Sequence, residues 1–392
     1  MRILALNYEF PPLGGGAGNA TAAICKELTG LGCEVAVLTS RYRGLPALEQ
    51  RDGYTVHRVR TLRRQVDQSG PVEMAAFLLA ALAPAVRLTR RFRPDALHVY
   101  FGMPTGPLGL LLKRLFSVPY LLSLRGGDVP GFLPGALGRL HTLTGPLSRW
   151  VWREAAAIVA NSRGLCDLAQ QSSPWHPVEY VPNGIDLARY APPVERRTDG
   201  VFRLVFSGRL VEQKGVRYIL EALPHVQAAI DRPVELVVAG AGPSEAALHE
   251  QVTALGLNQS VRFQGWTARD AMPDLYRSGD VFVFPSFEEG MPNVVLEAMA
   301  SGLPLVATDI YGHRDLMADG DNALLTPTAD SGAIAQALIR LAREPGLRAR
   351  LAARSRVRAE AFAWRNTAQA YLDITERMVQ ARHATAHGAD AQ

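Results

Sequence analysis

Short apolar runs rich in β-branched residues alternate with longer stretches of helical periodicity along the whole chain. That alternation builds parallel sheets covered by helices on both faces, so the predicted fold class is α/β. In the first half, the runs at 2–8, 34–39, 55–59, 96–100, 119–124, 156–161 and 178–181 read as strands, with helices such as 17–31 and 71–92 between them. Pro192 and Pro193 then open a polar stretch, PPVERRTDG. The pattern restarts at Phe202 with FRLVFSG, ELVVAG, VRFQG, VFVFPS and LPLVAT, each closed by a turn residue and followed by a helical stretch. A chain of 392 residues exceeds what one core supports. Two doubly wound domains are expected, 1–192 and 200–363, with a linker near 191–200. From about Trp364 to Arg382 a helix is predicted with Ala368, Tyr371, Leu372, Ile374 and Met378 near one face, which would pack back on the first domain. The last ten residues, HATAHGADAQ at 383–392, carry too little apolar surface to bury and are expected to form a disordered tail.

Composition narrows this picture. A hydrophobic share of 48% with 20% charged residues describes a globular protein, and the longest apolar run, MAAFLLAALAPAV at 74–86, is interrupted by Pro84. A membrane-spanning helix is not expected from it. The first residues, MRILALNYEFPP, read as a strand running into a proline turn and not as an export signal. Cys25, Cys33 and Cys166 are odd in number and lack metal-ligand spacing, so buried thiols in a reducing, cytoplasmic compartment are expected. Charge is unevenly placed. Residues 1–192 hold 21 Lys and Arg against 13 Asp and Glu, a net +8, and the remainder holds 21 against 24, a net −3. The basic residues Arg87, Arg90, Arg91 and Arg93 follow the apolar run without aromatic interleaving, which suits an anionic lipid surface or lipid-phosphate acceptor better than nucleic acid. The apolar-rich FLPGALGRL at 132–140 would join that surface, on the inner face of the cell membrane. A solvated basic helix face is the alternative.

Open parallel sheets bind ligands beyond the carboxyl ends of their strands, and three such loops stand out. In PPLGGGAGN, Gly15 and Gly16 open a helix where the backbone could approach a phosphate or sugar, or where the chain merely turns tightly. In FSGRLVEQKGV at 206–216, Arg209 and Lys214 can close on a diphosphate leaving group, with Gly208 and Gly215 beside them. No metal would then be required. In FPSFEEGMPNVVLEAMASGLPLVATD at 284–309, Pro292 suits the first turn of a short helix. The N–H groups of about 291–295 would point from its start toward an anion, which makes Gly290, Met291, Pro292, Asn293 and Val294 candidates for binding a diphosphate donor. Glu289 and Glu297 flank that helix start at a spacing that suits two ends of one elongated ligand. Glu289 would orient a transferred sugar and Glu297 a ribose, unless they only cap and solvate the helix. Base recognition is expected around Gly265 and Trp266, without a readable preference between bases.

The segment from Glu289 to Glu297 resembles the E-x7-E motif of family 4 retaining glycosyltransferases, also called glycosyl transferases group 1. The following AMASGLPLVAT, GRLVEQKG at 208–215, VPNGID at 181–186 and the N-terminal glycine loop occur in family order, so the resemblance spans nearly the whole chain. It implies the GT-B fold, two Rossmann-like domains facing each other across a cleft. It also implies metal-independent transfer from a nucleotide sugar, UDP- or GDP-linked, with retention at the anomeric carbon and no cofactor. In that scheme Arg209 and Lys214 hold the donor diphosphate, Glu289 the sugar and Glu297 the ribose. The acceptor would be a glycan or lipid-linked glycan, in the synthesis of cell-surface polysaccharide, lipopolysaccharide or glycolipid. Where many relatives carry a histidine, this chain reads YLLSLRGGDVPG, with Arg125 in that place and Asp128 three residues on. An arginine cannot act as a general base, so a catalytic role for Arg125 would be electrostatic, toward sugar, phosphate or Asp128. A buried ion pair of Arg125 with Asp128 is the alternative. An epimerase or hydrolase of the same fold, or a donor-binding protein without activity, are the rival functions.

Overall fold

The computed structural model describes residues 1–65, 69–132, 134–195 and 197–389, the side chains of 134–137, 139, 140 and 385–389 excepted. The chain divides into two compact units, Met1–Gly184 together with the chain from Trp364 onward, and Ile185–Ala363.

The first unit carries an eight-stranded sheet: β1 (Arg2–Leu6), β2 (Glu34–Arg41), β3 (Leu48–Arg51), β4 (Tyr54–Arg60), β5 (Ala96–Tyr100), β6 (Tyr120–Leu124), β7 (Ala157–Ala160) and β8 (Val178–Tyr180). Its order is β3-β4-β2-β1-β5-β6-β7-β8. All neighbours are parallel except β3 and β4. The predicted strands all form. The short β3, LEQR, escaped because its polar, half-exposed residues show no apolar alternation. The second unit has six parallel strands: β9 (Phe202–Ser207), β10 (Val234–Ala239), β11 (Val261–Gly265), β12 (Val281–Phe284), β13 (Leu305–Thr308) and β14 (Ala323–Thr326). They run in the order β11-β10-β9-β12-β13-β14. Chain order reverses between β1 and β5 in the first sheet and between β9 and β12 in the second. There the loops leaving adjacent strands turn to opposite faces and open a crevice. Strands β5, β6, β12 and β13 are buried on both faces, as central parallel strands must be.

The contact boundary falls at Gly184–Ile185, ahead of the expected linker. Ile185 donates its N–H to Phe362 O at 2.7 Å, and the Tyr190 side chain is buried in the second core. The polar stretch marks a change of composition, while the units divide where the contacts change. The last helix, Trp364–Ala389, buries Ala368, Tyr371, Leu372, Ile374 and Met378 against Ile3, Ile24 and Leu28 of the first unit. It continues through 383–389, where a tail was expected, because an alanine-rich sequence prolongs a helix that is already nucleated. The rest of the expected tail, 390–392, lies outside the described residues.

One expectation about membranes needs correction. The helix Pro71–Phe92 runs unbroken through Pro84 and is long and apolar enough, by length and composition, to cross a membrane. Phe77, Ala81, Ala85 and Thr89, four residues apart, bury one stripe of it in the core of the first unit. The same helix exposes Val72 and Leu79, each at least 70% accessible, along with Arg87, Arg90 and Arg91.

Candidate active site

The reversal between β9 and β12 brings two of the predicted loops together. After β9 the chain passes Gly208 and the exposed Arg209 into a short 3-10 turn, Glu212–Lys214. It leaves that turn through Gly215 at φ 66°, where an added Cβ would stand 2.2 Å from Pro285 O. Only glycine permits this approach. The loop after β12 closes the contact: Phe287 N–H donates to Gln213 O at 2.8 Å, and the Gln213 side-chain amide donates to Glu288 O at 2.5 Å. Lys214 and Glu289 form an ion pair whose side chains are 18% and 10% exposed. The lysine also lies over the Phe284 ring, 5.2 Å from its centroid. Behind Glu289, Gly312 packs so closely that a Cβ would reach Glu289 O at 2.3 Å. Of the two cations expected on a diphosphate, Lys214 is engaged by the predicted sugar ligand, while Arg209 projects outward.

The helix Asn293–Ala300 begins one residue later than expected, since Pro292 is its N-cap in an extended conformation (φ −76°, ψ 107°). Gly290 and Met291 therefore lie in the approach to the helix, Asn293 and Val294 in its first turn, and no side chain caps its start. Glu297, in the last part of this helix, is half-buried. It accepts a hydrogen bond from Tyr276 Oη at 2.8 Å. Burial raises its pKa, and hydrogen bonding from Tyr276 and Tyr190 works against that rise. Gly265, at φ 69°, ends β11 and accepts from Gly240 N–H at 2.8 Å, with Trp266 exposed beyond it.

Sequence reading missed three participants. Gln213 joins the two loops, Tyr276 braces Glu297, and His313 is buried after β13. His313 Nδ1 lies 2.7 Å from Thr308 O, so that nitrogen carries the proton, and Nε2 has no hydrogen-bond partner. Burial lowers its pKa. Its place in a strand-end loop, TDIYGHRD, was the available signal. The sequence also contains one Asp-x-Asp triplet, Asp319-Gly320-Asp321. Asp319 accepts from Leu325 N–H and Asp321 pairs with Arg354, so both carboxylates serve a turn beside β14.

In the first unit the expected anion sites are answered from within. Gly14 (φ 81°) folds over the Glu9 side chain, and the Gly15 N–H at the start of the helix Gly16–Gly30 faces the Glu9 carboxylate. Arg63 stands 3.9 Å from that carboxylate. Asp128 accepts three backbone N–H groups, from Gly102 at 2.8 Å, Arg125 at 2.9 Å and Gly126 at 3.1 Å. Arg125 directs its guanidinium to Asn183 Oδ1 at 2.7 Å and Tyr371 Oη at 3.0 Å, over the Tyr100 ring. The ion pair with Asp128 does not form. The carboxylate is already filled by backbone donors, and the last helix offers the arginine a closer partner.

Known proteins share the sequence pattern and the fold. Residues 14–189 match the family described as Glycosyltransferase Family 4, and residues 201–344 match Glycosyl transferases group 1. A D-inositol 3-phosphate glycosyltransferase of Frankia alni is 30% identical over 397 residues, 91% of this chain and 93% of that protein. A glycogen synthase of Mycobacterium tuberculosis is 27% identical over 397 residues, 95% of this chain and 94% of that protein. Anabaena HepE, solved in complex with UDP, shares 19% identity at a TM-score of 0.73, covering 96% of this chain and 100% of that one. The fold is GT-B, and these relatives give no support to an epimerase or hydrolase. The chain belongs to the family 4, group 1 glycosyltransferases.

Proposed function

We propose that the protein is a retaining glycosyltransferase that moves a sugar from a UDP- or GDP-linked donor to a glycan or lipid-linked acceptor, without a divalent metal. The observation that carries this reading is the meeting of Lys214 and Glu289 at the reversal between β9 and β12, beside a helix start that no side chain caps. A donor would open the pair: its diphosphate takes Lys214 and Arg209, and a sugar hydroxyl donates to Glu289. As the bond from anomeric carbon to phosphate oxygen breaks, the leaving diphosphate gains charge beside two cations and a helix N-terminus. The acceptor oxygen bonds to the anomeric carbon, and its proton passes to the departing phosphate. Binding of UDP by the solved relative HepE supports a nucleotide donor. The named activities of the relatives, glycogen synthesis and transfer to D-inositol 3-phosphate, leave the acceptor open.

The outer face of the helix Pro71–Phe92 supports a membrane-associated acceptor. Val72 and Leu79 lie on the same exposed helix as Arg87, Arg90 and Arg91, and Leu115 and Trp150 are exposed on helices of the same unit. Each basic residue near an anionic surface contributes about 1 kcal/mol. The expected FLPGALGRL contribution falls on Leu133 and neighbouring side chains outside the described residues. A thermal-shift series with UDP, GDP and ADP, followed by turnover of the matching sugar nucleotides in excess chelator, tests the donor reading. Loss of all turnover in chelator, or an inverted anomeric product by NMR, would overturn it.

A further inference from the structure

Arg125 stands at the carboxyl end of β6, where an open parallel sheet receives its ligands. Among the described residues its guanidinium meets only neutral groups. Nη1 donates to Asn183 Oδ1 at 2.7 Å and Nη2 to Tyr371 Oη at 3.0 Å, and the guanidinium carbon lies over the Tyr100 ring, 5.1 Å from its centroid. Asp128 gives its carboxylate to the N–H groups of Gly102, Arg125 and Gly126 instead. The buried guanidinium groups of Arg58 and Arg63, in the same unit, each have a carboxylate, from Glu49 and Glu9.

Withdrawing a guanidinium from water costs free energy that an ion pair or a ligand must offset, and Arg125 is half-buried without an ion pair. Its partners do not need the charge, since an amide oxygen and a phenol oxygen accept from a neutral amide as readily. Of the five N–H groups of a guanidinium, two make the bonds to Asn183 and Tyr371, and the buried Nε–H has no partner. One N–H on each Nη is left, and these can meet the oxygens of a phosphate or carboxylate. The plane is fixed before a ligand arrives. Tyr371, on the last helix, is buried, and its Oη lies 2.7 Å from Ser123 Oγ of β6. The phenol accepts from the arginine and keeps its own proton for the serine, so one hydroxyl ties the last helix to both. Such preorganisation lowers the entropy lost on binding.

We propose that Arg125, held by Tyr371 and Asn183, receives a substrate oxyanion at the carboxyl end of the first sheet, which makes the last helix part of the binding site. Tyr371 is a positioning residue, acting through Arg125. The donor's diphosphate and an anionic group on the acceptor offer the same oxygens. The substrate classes come from the reading above, while the geometry belongs to the first unit alone.

Two measurements tell these sources apart on the unaltered protein, Arg125→Gln and Tyr371→Phe. The first is calorimetry of UDP and GDP. In the second, inorganic phosphate is titrated at constant ionic strength into protein saturated with the nucleotide it binds, and binding is read as a rise in melting temperature. Arg125→Gln should lose about tenfold or more in affinity in one of them, as removal of a charged hydrogen-bond donor does. A loss in the first assigns the oxyanion to the donor, and a loss in the second alone assigns it to the acceptor. Tyr371→Phe keeps the ring and should show a smaller loss in the same measurement. Arg125→Lys keeps the charge but presents one nitrogen in place of two, so it should fall between, and it serves if Arg125→Gln does not fold. An Arg125→Gln protein that matches the unaltered one in both measurements overturns the proposal. So does a Tyr371→Phe protein that melts lower without ligand yet loses affinity in neither. If the unaltered protein binds neither nucleotide, the donor reading falls, and the phosphate titration, run without nucleotide, still decides this proposal.

Discussion

Asp128, in the loop after β6, and Glu289, in the loop after β12, stand in comparable places beyond the carboxyl ends of their sheets, and their surroundings differ sharply. Asp128 accepts three main-chain N–H groups and ties the loop after β5 to its own. Those three bonds hold the backbone of both loops to one carboxylate. Glu289 is held by one flexible lysine, across a contact between loops otherwise made by main chain, Gln213 and the Ser286 hydroxyl. A sugar hydroxyl and a phosphate can take over the two halves of that ion pair without moving the backbone. The same contrast separates Glu9, which meets the Gly15 N–H and Arg63, from Glu297, which is held by side-chain hydroxyls, those of Tyr276 and Tyr190. Main-chain N–H groups meet both carboxylates of the first unit, while side chains meet both of the second.

The comparison is broken most directly at Glu289. Glu289→Gln should lower turnover at saturating donor by about 10² to 10³ while affinity for the nucleoside diphosphate changes little. A mutant that loses nucleotide affinity and keeps its turnover would remove Glu289 from the sugar side. The matching change in the first unit, Asp128→Ala, should act on stability. Three buried N–H groups lose their acceptor, which costs about 3 kcal/mol in denaturant melts. If the melt were unaltered and activity fell instead, Asp128 would belong to the reaction.

Glu297→Gln should reverse the weighting seen at Glu289, with about 1.5–3 kcal/mol lost in nucleoside diphosphate affinity by calorimetry and a smaller change in turnover at saturation. The smallest effect is expected at Gly15→Ala. Nothing lies within 4 Å of an added Cβ, but the backbone (φ −114°, ψ −134°) falls outside the extended and helical regions that an alanine prefers, so stability should fall by about 1 kcal/mol. Turnover should be retained if Glu9 alone faces that helix start. A large loss of turnover in a stable Gly15→Ala protein would show that a substrate approaches the loop closely, and the two units would then be more alike than their carboxylates suggest.

The sequence by itself determined the α/β class and every strand except β3 and β14. Parallel strands buried on both faces must be apolar runs, and strand-end chemistry is recorded as glycines and charges at fixed offsets, as in GRLVEQKG and E-x7-E. It also specified the apolar face of the last helix, because a period of 3.6 residues survives whatever the helix packs against. Tertiary structure decided everything that depends on which loops become neighbours. The strand order β9-β12 joins Lys214 to Glu289 across 75 positions, and the Trp364–Ala389 helix gives Arg125 its partner Tyr371 across 246. Tyr276 reads in the sequence as an ordinary core aromatic, and only its hydroxyl's place beside Glu297 distinguishes it. Hydrogen bonds hold over about 3 Å in space and carry no periodicity along the chain, so which partner each carboxylate meets is settled only when the sheets have formed.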